Sequence, residues 1–117
     1  MKPIVYGYTK CSTVKKALNF LESNNIDYKH IDNVTDKLSV KEIKDLHEKS
    51  NLDIGKFYNT SGMLYRELNI KDKRANMSLS EQYKLLSTDG MLIKRPILVT
   101  SKGVFPSFKE DKWLELI

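Results

Sequence analysis

Apolar positions recur along the chain with a period of two in short stretches and near 3.6 in longer ones, and the alternation between the two sets out the elements. Ile4, Val5 and Tyr6 make a brief β-favouring run closed by Gly7. Val14, Ala17, Leu18 and Leu21 then follow at the i, i+3, i+4, i+7 spacing of a buried helical face. Ser23-Asn24-Asn25 stops that helix, and Ile26 to Ile31 reads as a second strand, with apolar alternation at Ile26, Tyr28 and His30 or, in the other register, at Ile31. Strand, helix, strand predicts a parallel pair joined by a right-handed crossover.

Farther along, Ser39-Val40-Lys41-Glu42 has the spacing of a capping box, and Val40, Ile43 and Leu46 or His47 mark one face of a helix to about Ser50. A second box, Ser78-Leu79-Ser80-Glu81, opens a helix carrying Leu79, Tyr83 and Leu86. Between the two, Ile54 to Leu68 is apolar but broken by Asn59, Ser61 and Gly62, which predicts two short helical pieces. The strand pattern returns over Ile93 to Thr100, turns at Ser101-Lys102-Gly103 and continues in Val104-Phe105. Lys109 to Ile117 supplies a closing helix expected to bury Trp113, Leu114 and Ile117. The order is βαβ, helices, ββα, and no linker isolates the helical insertion at about 39–88, so residues 1–117 are expected to form one domain.

Composition narrows the class. The 117 residues are 40% hydrophobic and 30% charged, values typical of a soluble globular protein. No run approaches the roughly 18 apolar residues of a membrane helix, and the N-terminus enters a strand without an apolar leader, so the cytoplasm is the expected location. The net charge of +5 is carried mostly by scattered lysines, with arginine only at positions 66, 74 and 95. That pattern argues against direct nucleic-acid binding and fits an anionic small molecule or an acidic protein patch. One cysteine excludes an internal disulfide, and with only His30 and His47 besides, no metal site is expected.

That cysteine, Cys11, is the main chemical candidate. A lone cysteine is often a small buried hydrophobe. Here it lies off the apolar stripe, flanked by Lys10, Ser12 and Thr13, where the first strand hands over to the first helix. Unpaired N–H groups and the positive end of the macrodipole favour a thiolate at such a place, and Lys10, Lys15 and Lys16 are expected to add positive charge.

The element order with a cysteine loop after the first strand resembles an α/β thioredoxin-like fold (βαβ…ββα) enlarged by a helical insertion. The sequence itself resembles the arsenate-reductase-like (ArsC/Spx) family end to end. Carrying the resemblance are Tyr6-Gly7-Tyr8-Thr9-Lys10-Cys11, Lys15-Lys16-Ala17, Asn59-Thr60-Ser61-Gly62 leading to Tyr65-Arg66-Glu67-Leu68, and the run from Asp89 to Val99 that contains Ile93-Lys94-Arg95-Pro96-Ile97. It implies that Cys11 is the redox cysteine and that Arg95-Pro96 is the family's Arg-Pro element, with a cis proline facing the cysteine and an arginine holding an oxyanion or carboxylate.

Two departures qualify what is carried over. Arsenate reductases of this family surround the anion with three arginines, and the other two positions fall here near Asn59 and Phe108, which speaks against a strong arsenate site. Spx-type regulators carry a Cys-x-x-Cys switch, and the fourth position here is Val14. The resemblance therefore implies a cytoplasmic, bacterial, glutaredoxin-like monothiol oxidoreductase, monomeric, with a low-molecular-weight (glutathione-like) thiol as co-substrate and no bound cofactor. In that reading Cys11 exchanges with a small thiol or disulfide substrate, Lys10, Ser12, Thr13 and Lys15 line the thiol site, and Arg95 and Pro96 close it. The alternative, from another class, is a regulatory protein docking on RNA polymerase or another acidic partner without catalysis.

Overall fold

In the computed structural model, which describes all residues from Met1 to Ile117, strand β1 (Ile4–Tyr6) runs parallel to β2 (Lys29–Ile31), with helix α1 (Ser12–Ser23) connecting them. Asn25, at φ 57°, supplies the left-handed residue that ends α1. Strand β3 (Ile97–Thr100) lies antiparallel on the other side of β1, and β4 (Gly103–Pro106) pairs antiparallel with β3 to complete a four-stranded mixed sheet of order β2-β1-β3-β4. Helix α6 (Glu110–Leu116) closes the chain. This is the thioredoxin-like arrangement expected.

Period-two alternation divides the sheet into two apolar faces. Val5 and Leu98, partners across the ladder, pack with Ala17 and Leu21 of α1 and Trp113 of α6. Ile97 and Val104 face the opposite side, against the helices of the β2–β3 connection. That connection holds α2 (Val40–Ser50), a 3₁₀ turn at Ile54–Phe57, α3 (Met63–Glu67), α4 (Ile70–Lys73), a second 3₁₀ turn at Arg74–Asn76, α5 (Leu79–Thr88) and a third at Gly90–Leu92. Both capping boxes form, with Ser39 and Glu42 on α2 and Ser78 and Glu81 on α5. His47 ties the layer together, its ring within 2.6 Å of the Tyr83 hydroxyl and 2.9 Å of the Leu52 carbonyl oxygen.

Several expectations need correction. β2 starts at Lys29, while Ile26 and Tyr28 pack beside the α1–α6 core outside the ladder. β3 starts at Ile97 rather than Ile93, because Pro96 has no N–H to donate and the Lys94 N–H goes to the Phe57 carbonyl at 2.8 Å. Ile93 instead bridges Tyr58. Leu114 is 55% exposed: on a helix that buries Trp113, the next residue lies about 100° round, toward solvent. Val40 and Leu79, each the first residue after its cap, are likewise exposed. Helix α4 and the turn after it have no apolar stripe to announce them, being short and rich in charge, with Ile70 as their one buried residue.

Candidate active site

Between β1 and α1 the chain makes one turn, closed by the Cys11 N–H on the Tyr8 carbonyl at 3.0 Å, and Cys11 takes the extended N-cap conformation of α1 (φ −82°, ψ 127°). An N-cap side chain faces the free N–H groups of the first helical turn, a position usually held by an oxygen of Ser, Thr, Asp or Asn. Here a sulfur occupies it. Partial burial pushes the Cys11 thiol up, but the Val14 N–H, the Arg95 side chain, the Thr13 N–H and the Arg95 charge together outweigh it and set the pKa below its ordinary value. Arg95 makes its regular contacts elsewhere, with its Nη1 3.6 Å from Met91 Sδ and its guanidinium 5.7 Å from the Tyr8 ring centroid. No hydrogen bond of regular geometry reaches the Cys11 sulfur, from Arg95 or from the first-turn N–H groups, so Val14 and Thr13 act on the thiolate as nearby dipoles and Arg95 as a neighbouring positive charge.

The cysteine turn is clamped from β2. Asp32, directly after β2, accepts from the Thr9 N–H at 3.0 Å and the Thr9 hydroxyl at 2.6 Å through Oδ2, and from the N–H groups of Val34 (2.9 Å) and Thr35 (3.2 Å) through Oδ1. Although burial raises its pKa, these four donors hold the Asp32 carboxyl well below the usual carboxylate range. A second tie joins His30 Nε2 to the Gly7 carbonyl at 2.9 Å.

Cys11 opens onto a groove of about 820 Å³, within the range of small-molecule sites. Across it stand Arg95, reached through a cis Arg95-Pro96 bond, and the segment Ser107-Phe108-Lys109 that follows β4. Ser107 has φ 102°, a conformation rare outside glycine; it is held from both sides, its N–H on the Pro96 carbonyl at 2.7 Å and its own carbonyl accepting from Trp113 Nε1 at 2.9 Å. Phe108 stacks edge-on against Trp113 and Phe20, with centroids 5.0 Å and 5.5 Å apart. Tyr58 and Asn59 line the groove from the helical side.

Of the residues expected at the site, Cys11, Thr13 and Arg95 line this groove together, whereas Pro96 is buried immediately before β3 and lies outside the lining. Lys10, Ser12, Lys15 and Lys16 are exposed and lie outside the lining. The lysines were expected to charge the thiol, and that expectation is corrected: Arg95 is the cation acting on it, since the turn of α1 that buries Val14 and Ala17 leaves Lys15 and Lys16 to solvent. Unforeseen were Lys56, Tyr58, Arg74, Lys94, Ser107 and Lys109, all on the groove. They lie in four separate segments, and no local pattern marks them.

No three His, Cys, Asp or Glu side chains cluster so as to hold a metal ion, and no helix is long and apolar enough to cross a membrane. A cap-position thiol, an arginine before a cis proline and a four-stranded mixed sheet define a thioredoxin-like thiol site. More specifically, residues 6–116 match the ArsC family model, and the chain belongs to the ArsC family. It is 48% identical to the uncharacterized protein YusI of Bacillus subtilis strain 168 over 94% of this chain and 93% of that one. It is 27% identical to the global transcriptional regulator Spx 2 of Bacillus anthracis over 93% of this chain and 82% of that one. A solved ArsC family related protein from Bacteroides fragilis superposes with a TM-score of 0.94 at 41% identity, covering 100% of this chain and 98% of the other.

Proposed function

We propose that the protein is a monothiol oxidoreductase that exchanges Cys11 with disulfides through a low-molecular-weight thiol. The Cys11 thiolate attacks one sulfur of a disulfide R–S–S–R′, forming Cys11–S–S–R and releasing R′–S⁻, which takes a proton from solvent. A thiolate of the small co-substrate, R″–S⁻, then attacks the sulfur that carries R, forming R–S–S–R″ and releasing Cys11 as thiolate. A second round acting on R–S–S–R″ releases R–S⁻ and leaves R″–S–S–R″, so over two rounds two small thiols supply the two electrons that reduce the first disulfide. One cysteine is enough for this cycle, and an internal dithiol cycle is closed to a chain with no second cysteine.

The observation that carries this reading is a cysteine whose thiolate is favoured by helix N–H groups and Arg95 and which faces a groove of small-molecule size. Arg95 would hold the anionic end of the thiol, and Thr13 would flank it. Arsenate is disfavoured as substrate. The position expected of one further arginine carries Asn59, whose Nδ2 donates to the Met91 carbonyl at 3.2 Å, and the other carries the stacked Phe108.

The test is glutathione-coupled turnover of 2-hydroxyethyl disulfide by the wild type and Cys11→Ser. Turnover that Cys11→Ser abolishes, with a mixed disulfide on Cys11 seen by mass spectrometry, is expected. No adduct and no turnover in the wild type would refute the proposal and favour a docking role in which Cys11 is dispensable.

A further inference from the structure

Five cationic side chains line the groove, Lys56, Arg74, Lys94, Arg95 and Lys109, against one carboxylate, Asp53. The two ion pairs in the structure, Lys44–Glu48 and Lys112–Glu115, lie elsewhere, so none of the five is in an ion pair, although Asp53 Oδ2 lies near Arg74 across Gly55. Asp53 itself is engaged in capping the Ile54–Phe57 turn, its Oδ2 accepting from the Gly55 N–H at 3.0 Å. Like charges gathered on one concave wall repel each other, and an anionic ligand relieves that repulsion.

The cations fall into two sets. Arg95 acts on the Cys11 thiol. Arg74 and Lys56 belong instead to the helical side, and Arg74 is positioned there by two neighbours. Its guanidinium carbon sits 5.2 Å from the centroid of the Tyr58 ring, and a Cβ on residue 55 would come within 2.8 Å of its Nη2, so Gly55 leaves the space it occupies. Tyr58 is itself fixed, buried with its hydroxyl donating to Gln82 Oε1 at 3.1 Å. Arg74 is thus half-buried and stacked, yet its side chain makes no hydrogen bond or ion pair with the protein. A guanidinium carries five N–H donors in a fixed fork suited to carboxylate or phosphate.

We propose that Arg74 and Lys56, beside Tyr58, form a second anion subsite on the groove, so that the thiol exchanged at Cys11 bears a carboxylate or phosphate remote from its sulfur. This deepens the proposed thiol exchange and rests on it. Arg95 meets charge near the reacting sulfur, and Arg74 with Lys56 meets it at the other end of the molecule. Simple thiols such as cysteine or 2-mercaptoethanol lack that distant group and leave the second subsite empty.

The experiment measures the second-order rate constant for mixed-disulfide formation on Cys11 with three disulfides. These are 2-hydroxyethyl disulfide (neutral), glutathione disulfide (remote carboxylates) and coenzyme A disulfide (remote phosphates). The expected result is a wild-type preference for one or both anionic disulfides over the neutral one that weakens with added salt; the better of the two identifies the anion. In Lys56→Gln/Arg74→Gln the ratio of anionic to neutral rate constants should fall about tenfold, the scale of one lost charge-assisted contact, and Lys56 with Arg74→Lys should recover part of it. A wild type that does not discriminate, or a ratio unchanged in the double variant, overturns the subsite while leaving thiol exchange standing. Failure of Cys11 to react with any of the three defeats the exchange reading and the subsite with it.

Discussion

Replacing Asp32 by Asn separates the two jobs of that side chain. The amide oxygen can keep the Oδ1 bonds to the Val34 and Thr35 N–H groups, whereas the amide NH₂ then sits where Oδ2 accepted from the Thr9 N–H and hydroxyl. The hydroxyl can rotate to accept; the Thr9 N–H cannot, and two donors face each other. Charge-assisted hydrogen bonds contribute about 1.5–3 kcal/mol where desolvated, and since Thr9 is exposed the loss should be discounted to about 1–2 kcal/mol. Urea unfolding of both proteins reads that difference. Its pH dependence has a definite sign. The carboxyl is depressed in the folded protein, so its contribution is fully present above the unfolded value of about 3.9 and disappears as pH falls through the lower folded one. The gap between wild type and Asp32→Asn should therefore be level near neutrality and shrink below about pH 4. Because Thr9 lies in the turn that aims Cys11, the variant should also alkylate with a midpoint moved up toward the free-thiol value. Equal urea midpoints together with an unchanged alkylation profile would refute the clamp.

Three further outcomes follow from the geometry. Arg95→Ala removes a charge that lowers the Cys11 pKa, so the alkylation midpoint should rise, while stability falls by less than about 1 kcal/mol because the guanidinium is half-exposed and weakly bonded. Thiol-coupled arsenate reduction should be feeble, since Arg95 is the arginine that acts on the Cys11 sulfur and Asn59 and Phe108 stand where two more are expected, which leaves an oxyanion at that sulfur short of contacts; turnover rivalling dedicated reductases would reverse that conclusion. Gly90→Ala should destabilise by about 1–3 kcal/mol or more in a thermal or urea melt, because its Cβ would clash with the Asn33 carbonyl oxygen, a backbone atom in a buried residue that cannot easily give way. A neutral effect there would mean that the Asn33 loop is looser than described.

The half of the site built on α1 was legible because local rules specify it. A strand run ending at Gly7, an apolar helical stripe starting at Val14 and a polar residue triplet around Cys11 together place the thiol at a cap. Capping boxes at Ser39 and Ser78 were equally local and equally readable. The far wall was not, for a physical reason: Lys56, Arg74, Lys94 and Lys109 become neighbours only through tertiary packing. In sequence Arg74 is one more cation after Lys71 and Lys73, and what sets it apart is the Tyr58 face and the space at Gly55. Nothing in Pro106-Ser107-Phe108 announces a positive φ at Ser107, which follows from the Pro96 and Trp113 contacts around it. Leu114 shows the opposite failure, an apolar residue in a short helix that has only one buried face to fill.

The central claim is that the fold presents Cys11 as an activated thiolate, and the pH dependence of its alkylation tests this most directly. With one cysteine in the chain, iodoacetamide incorporation reports on Cys11 alone. The N–H groups of Val14 and Thr13 and the Arg95 charge predict a midpoint in the folded protein below that of the same thiol unfolded in urea. A folded-state midpoint at or above the urea value would contradict it, leaving burial as the dominant influence and an ordinary thiol at the head of the helix.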